Sequence, residues 1–295
     1  NIKVYSTKKI ETQTDLKAVR EALRKKAALM PRGKFKGTKY RGVMSGTDLS
    51  AKAFAELKKW NVNLMRYQMD LRKSRREGFK GDVSTPEGYL KWIDLQIKEL
   101  DKILLLAEKN GIKIVIDLHT GSGTGITTLM SNELGESTAL GVMVDAWRKL
   151  AKHYKGNPNI YGYDLLNEPQ AGKFLEGRDN PWKYMAQTLA DAIRKIDPDT
   201  PIIVAWHQIS KGFEIKGENI IYSPHIYKPH TYTHQGMKQW KLQWKYPGNI
   251  DGTYWNKDQL RLVIRKYIDY QQRHGVKIFV GEFGCIAWAP GREQY

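Results

Sequence analysis

The feature that most restricts how this chain can fold is an alternation. Short runs of Val, Ile, Tyr and Phe are each followed by a longer stretch with apolar residues at helical spacing. That pattern marks parallel strands joined by crossover helices. Seven strands can be read: Tyr40–Gly46, Val62–Tyr67, Lys113–His119, the run from Ile160 to Leu166, Pro201–His207, Ile220–Tyr227 and the run beginning at Lys277. Between the second and third, Thr85 as N-cap and Pro86 at the first position start a long helix that ends at Asn110-Gly111. Further helices fit residues 137–154, 181–196 and 257–274. About a dozen residues separate the fifth and sixth strands, short for a full crossover helix. The Arg-, Lys- and Gly-rich stretch after Tyr67 reads as a surface loop. Residues 228–256 read as a long aromatic loop containing Trp240, Trp244, Tyr246, Tyr254 and Trp255.

The chain has 295 residues and 41% hydrophobic content. This suits one large α/β domain, and a (β/α)8 barrel of about 250 residues is a natural size. Only thirteen residues follow Glu282. That is too few for a helix and an eighth strand, so the expected barrel, residues 40–295, is truncated before its eighth strand. Residues 1–39 form a separate basic extension. In it, Asn1 to Ser6 is a tail or short strand. A helix opens at Thr14-Asp15, carries Leu16, Val19, Leu23, Ala27 and Met30 on one face, and ends at Pro31.

The chemistry is expected at the strand ends. The fourth strand stops at Asn167-Glu168-Pro169, because proline has no N–H and disfavours α geometry in the residue before it. A carboxylate at the C-terminal mouth of a buried parallel strand is where an α/β barrel carries catalytic groups. The seventh strand also ends in a carboxylate, Glu282. Two such carboxylates are what glycoside hydrolysis needs. Other strand ends supply polar groups: Arg66, suited to keep a nucleophile ionised; His119 and His225, suited to donate to sugar hydroxyls or carboxylates; Tyr227, suited to donate to a nucleophile oxygen; and Asn167, suited to a sugar 2-hydroxyl. Each alone has a bland reading, since a lone His is usually a satisfied core residue and a lone Arg a surface cation. Their shared position at strand C-termini favours the functional one. Asp117 and Asp164 lie inside strands and read as structural partners of these polar groups.

Composition closes off other classes. A single cysteine, Cys285, excludes an intrachain disulfide framework and multi-Cys metal sites. The seven histidines show no metal-ligand spacing, and no catalytic metal is expected. Thr120–Gly125 is glycine-rich but lacks the lysine of a phosphate loop. No run approaches the roughly 18 apolar residues of a membrane span. Net charge is +18, of which +10 falls in residues 1–41. The plain reading is a solvated lysine-rich flank; the functional one is attraction to an anionic polymer or surface. No nucleic-acid-binding motif accompanies the charge.

Six stretches together carry a resemblance: Tyr40-Arg41-Gly42, Asn63-Leu-Met-Arg66, Ile116-Asp-Leu-His119, Leu166-Asn167-Glu168-Pro169, Pro224-His225-Ile-Tyr227 and Gly281-Glu282-Phe283-Gly284. In this order, over residues 40 to 288, the chain resembles glycoside hydrolase family 5, the cellulase-type retaining hydrolases of clan A. The resemblance implies a (β/α)8 barrel, Glu168 as acid/base and Glu282 as nucleophile. It also implies a supporting shell of Arg66, His119, Asn167, His225 and Tyr227, Trp288 as a sugar platform, and no metal or organic cofactor. The expected activity is retaining endo-β-1,4-glycanase action on a cellulose-type β-glucan. β-Mannan, xyloglucan or an acidic polysaccharide are alternative substrates, and a non-catalytic carbohydrate-binding relic is the alternative of another class. The expected partner is a polysaccharide, not nucleic acid. The protein is expected to be monomeric and secreted or periplasmic, with any leader already removed.

Overall fold

The structure is a computed structural model that describes residues 13–28, 39–46, 48–121, 136–169, 180–206, 213–237 and 241–295. The expected features at Asn1–Ser6, Pro31, Ser122–Gly125, His207 and Trp240 lie outside these residues. The chain divides into two compact units, one of Thr38–Pro224 and one of Asn1–Gly37 with His225–Tyr295. The first helix, α1 (Gln13–Ala28), belongs to the second unit.

The larger unit is a parallel sheet. Its strands β1 (Gly42–Met44), β2 (Leu64–Gln68), β3 (Lys113–Asp117), β4 (Ile160–Asp164), β5 (Ile202–Ala205) and β6 (Ile220–Ser223) pair in sequence order. All four residues of β5 are buried, and so are Leu64 to Tyr67 of β2. Strands enclosed on both faces need no polar side, so they read as continuous apolar runs. The crossover helices are α2 (Ala51–Lys59), α3 (Leu71–Arg76), α4 (Pro86–Asn110), α5 (Glu136–Tyr154) and α6 (Pro181–Arg194).

The start of α4 follows the expected chemistry. Thr85 Oγ1 accepts from Gly88 N at 3.1 Å, Pro86 fills the first position, and Gly111 ends the helix at φ 69°. The basic stretch after β2 departs from expectation in part, since Leu71–Arg76 form α3 while residues 77–84 run on as a loop. There the Asp70 carboxylate accepts from Arg72 N at 2.8 Å, which satisfies one of the donors a helix start leaves open.

Helix side chains pin the carboxyl ends of the strands. Tyr89 of α4 donates to Thr120 O (2.7 Å), just beyond β3. Trp147 of α5 donates to Leu165 O (3.0 Å), just beyond β4. Trp182 of α6 donates to Ala205 O (2.8 Å), the last residue of β5. Each bond ties a buried carbonyl, which would otherwise lack a partner, to a large apolar side chain on the covering helix. The strand ends that carry the polar residues are thus fixed from outside the sheet.

The smaller unit holds β7 (His225–Ile226), α7 (His230–Thr233), β8 (Gly248–Ile250), β9 (Thr253–Trp255), α8 (Lys257–His274), β10 (Lys277–Ile278) and β11 (Glu282–Phe283). The expected sixth strand therefore breaks at Pro224, which has no N–H to give a ladder. β7 pairs parallel to β11, with His225 opposite Glu282. The aromatic segment is not one loop. β8 and β9 form a hairpin turned by Asp251 (φ 50°) and Gly252 (φ 75°), the left-handed pair that a tight hairpin demands. Tyr246 and Trp255 of this segment are buried in a small core with Tyr232, Ile250 and Ala289. α1 packs on α8.

Trp147→Phe keeps the ring volume roughly but leaves Leu165 O without its donor. We expect a cost of about 1–3 kcal/mol, read as a drop in Tm on the order of 5 °C. An unchanged Tm would mean that the carbonyl finds another partner.

Candidate active site

In the larger unit a polar cluster closes the ends of three adjacent strands. Arg66 of β2 is 2% exposed. Its Nε donates to Asp164 Oδ2 at 2.8 Å, and its Nη2 lies 3.0 Å from Asp117 Oδ1. The same Nη2 donates to Asn167 Oδ1 at 3.1 Å. Asp117 and Asp164 are the last residues of β3 and β4 and are fully buried. They are therefore the partners of the strand-end polar groups, and Arg66 is the hub.

His119 joins through Asp117, with its Nδ1 2.7 Å from Asp117 Oδ2. An ionised carboxylate only accepts, so His119 Nδ1 carries the hydrogen. The Gln68 side chain lies beside the same ring, 3.3 Å from Nδ1. Asn167 is oriented by similar logic. Arginine only donates, so the Asn167 oxygen must face Arg66, and its NH2 group is turned away from the guanidinium. Asn167 N donates to Leu118 O at 3.1 Å, which holds the backbone. Next to it, Glu168 is partly exposed and adopts φ +40°. That left-handed conformation is unusual for a residue with a Cβ and costs about 1–2 kcal/mol.

In the smaller unit the residues gather around Glu282, which is 8% exposed. Tyr227 OH donates to Glu282 Oε2 at 2.8 Å, and His225 Nδ1 lies 3.5 Å from the same oxygen. The β7–β11 register brings His225 there, and Tyr227 follows two residues later on the same side of the extended chain. Tyr227 is braced in turn. Thr233 Oγ1 donates to its carbonyl at 3.0 Å, and the His234 ring meets its ring edge-on at 5.2 Å between centroids.

Trp288 is 53% exposed. Its Nε1 donates to Gln235 O at 3.1 Å, and the indole lies against Gly236, where a Cβ would sit 2.6 Å from Nε1. Gln235 is fully buried and holds the neighbouring loop: its Oε1 accepts from Gln243 N and Trp244 N, and its Nε2 donates to Trp244 O. The sequence reading missed Gln235 and Gly236 as the seat of Trp288. A Gln-Gly pair in a loop carries no distinguishing local signal.

Comparison with known proteins gives the context. The family model for cellulase (glycosyl hydrolase family 5) matches residues 30–293. Endoglucanase C of Acetivibrio thermocellus is 26% identical over 227 residues, covering 64% of this chain and 63% of its own length. An endoglucanase of Paenibacillus polymyxa is 28% identical over 211 residues, covering 64% of this chain and 49% of its own length. The chain thus spans less than two thirds of the length of these relatives. Among solved structures, Pseudomonas stutzeri endoglucanase Cel5A in complex with cellobiose shares 26% identity at a TM-score of 0.56, over 80% of this chain and 65% of that one. Thermotoga maritima endoglucanase Cel5A gives a TM-score of 0.64 over 86% of this chain and 82% of that one; at 20% identity it speaks for the fold alone. The fold class is that of the (β/α)8 barrels, as the family resemblance implies, and the parallel sheet is the one the strand–helix alternation predicts. With most of its length inside the family model, this chain belongs to the cellulase family, glycosyl hydrolase family 5.

Proposed function

We propose that this chain is a retaining endo-β-1,4-glycanase that cleaves cellulose-type β-glucan by double displacement, with Glu282 as nucleophile and Glu168 as acid/base. The observation that carries the reading is the nearly buried Glu282 carboxylate, with the Tyr227 hydroxyl donating to it and His225 beside it. A phenol donor fixes the orientation of the carboxylate, which in this reading attacks the anomeric carbon. Membership of the family supports the same assignment.

In the first step the Glu168 carboxyl gives its proton to the glycosidic oxygen, while a Glu282 oxygen attacks the anomeric carbon and the C–O bond breaks. This leaves a glycosyl ester on Glu282 and a carboxylate on Glu168. In the second step Glu168 takes a proton from water, the hydroxide oxygen attacks the anomeric carbon, and Glu282 departs as carboxylate. Two inversions give retention, and the reaction needs the two carboxyl groups about 5–5.5 Å apart. Asn167, its oxygen held by Arg66, offers its NH2 to a sugar 2-hydroxyl, a contact that strengthens as the oxocarbenium-like transition state forms. The exposed face of Trp288 suits stacking on a sugar ring. A polymer substrate too large to enter a cell is met outside the cytoplasm, so the reading includes a secreted or periplasmic location; a monomer is part of the same proposal. Among the described residues no helix is long and apolar enough to cross a membrane.

The two carboxylates are separable by azide rescue on an activated aryl β-cellobioside. With Glu168→Gly, azide should intercept the glycosyl ester and give the β-glycosyl azide. With Glu282→Gly, azide should attack the substrate directly and give the α-glycosyl azide. The opposite products would exchange the two roles. Glycine at position 168 also relieves the left-handed strain, so its Tm should equal or exceed that of the parent protein.

Tyr227→Phe removes the donor to Glu282 and should lower kcat by about 10- to 100-fold with Tm nearly unchanged. Full activity in this variant would sink the proposed role of the phenol. Arg66→Lys loses the fork that serves three partners. We expect lower Tm together with a fall in kcat, and activity at the parent level would refute the Arg66–Asn167 link. Initial rates on soluble β-glucan, β-mannan and xyloglucan test the substrate, and a preference for either of the latter two would replace the glucan assignment.

A further inference from the structure

The charge of +18 has no part in the chemistry above, yet a third of it sits on two helices that touch. α1 has 16 residues and α8 has 18, so each is about 25 Å long. α1 carries five Lys/Arg against two Asp/Glu, and α8 has the same ratio. α1 packs on α8 within the smaller unit. Arg20 fastens α1 there: its Nε donates to Tyr254 OH at 2.8 Å, and its guanidinium lies 5.1 Å from the centre of that ring. The basic flank is therefore docked to a helix that is basic itself.

Three of the four acids on this pair are already matched within their own helix. Glu21 pairs with Lys25 (3.0 Å), Asp258 with Arg261 (2.7 Å) and Asp269 with Arg265 (3.6 Å). Lys17, Arg24, Lys257 and Arg273 are exposed, and among the described residues no carboxylate ion pair involves them. Placing like charges side by side on packed helices destabilises a fold unless something anionic offsets them.

The geometry points to the α1–α8 surface as a binding site for an acidic polysaccharide, separate from the carboxylate chemistry. The surface fits an extended polyanion better than the other anionic partners. Insertion as an amphipathic helix into a lipid surface would need an exposed apolar stripe, but Leu23 of α1 is buried and Leu16 and Val19 are partly buried. A single-stranded nucleic acid would need exposed aromatic faces for its bases, but Tyr267 and Tyr270 of α8 are buried. A chain of uronic acids needs only spaced cations along a length of about 25 Å.

The test is retention on polygalacturonate-coupled resin. The protein should be held at about 10 mM NaCl and released by about 300 mM, as the screening length falls below 10 Å. Lys17→Gln, Arg24→Gln, Lys257→Gln and Arg273→Gln in one chain should weaken binding at least tenfold at low salt, with hydrolysis of neutral soluble β-glucan unchanged. A control with Lys52, Lys58, Lys98 and Lys109 of the larger unit changed to Gln has the same net charge and should lose less than threefold. Equal loss in both variants would overturn the proposal, because net charge rather than this surface would then be responsible. Tighter binding to single-stranded DNA or to phosphatidylserine vesicles would also overturn it. Should the first variant fail to fold, the unchanged protein still decides. Log K against log salt should fall with a slope of about −3, and a slope near zero would refute the site.

Discussion

Much of the larger unit depends on how one guanidinium is shared. Arg66 on β2 reaches the terminal aspartates of β3 and β4, so a single side chain sets the ends of three strands at one level. Two acids on one base leave the buried group with surplus negative charge, and the N–H of His119 faces that surplus. Such an assembly is expensive to bury. A well-packed apolar trio would hold the strands as well or better, while deleting one partner leaves an uncompensated charge worth about 3–5 kcal/mol. Holding strands together therefore does not explain the cluster. Aiming Asn167 does, because a donor-only guanidinium holds the amide oxygen inward and so turns the NH2 outward.

The smaller unit applies the same principle to Glu282. Strand register sets His225 against it, and a phenol braced by Thr233 supplies the hydrogen bond. In the proposed mechanism this carboxylate attacks carbon, and it cannot wait for solvent or side chains to reorganise around it. Donors fixed in advance by backbone pairing remove that reorganisation. Arg66 and Tyr227 thus do related work in different units. Each orients a neighbour whose chemistry it does not itself perform.

The sequence was legible where local chemistry decides the outcome. Thr85, Pro86 and Gly111 bound α4 because caps and proline act within a few residues. The parallel strands were legible because enclosure on two faces leaves an apolar run that few other structures tolerate. Arg66, His119 and Asn167 were visible as polar groups at strand ends, but their mutual bonds were not, since pairings between residues about 100 positions apart leave no local trace. The hairpin in the aromatic segment is hidden although Asp251-Gly252 marks it, because a composition so rich in Trp and Tyr reads as one long aromatic loop. The stretch that became α3 was misread for a similar reason. Its many cations suggested a solvated loop, while the decisive residue was the Asp70 cap just before them.

Glu168 is strained at the position where the proposed mechanism needs an acid. Proline at 169 restricts the residue before it to extended geometry, yet Glu168 sits at φ +40°, where a side chain crowds its own carbonyl. Glycine would take that conformation without strain, and asparagine would take it at less expense. Neither supplies a carboxyl group that can give and recover a proton. The Arg66 fork fixes the Asn167 side chain, and the Leu118 carbonyl fixes its backbone, so the strain falls on the next residue rather than spreading back into β4. A strained acid between a clamped amide and a rigid proline has little freedom to relax. The acid/base proposed here has to protonate one oxygen and later deprotonate another at nearly the same point in space, and it would benefit from that restriction.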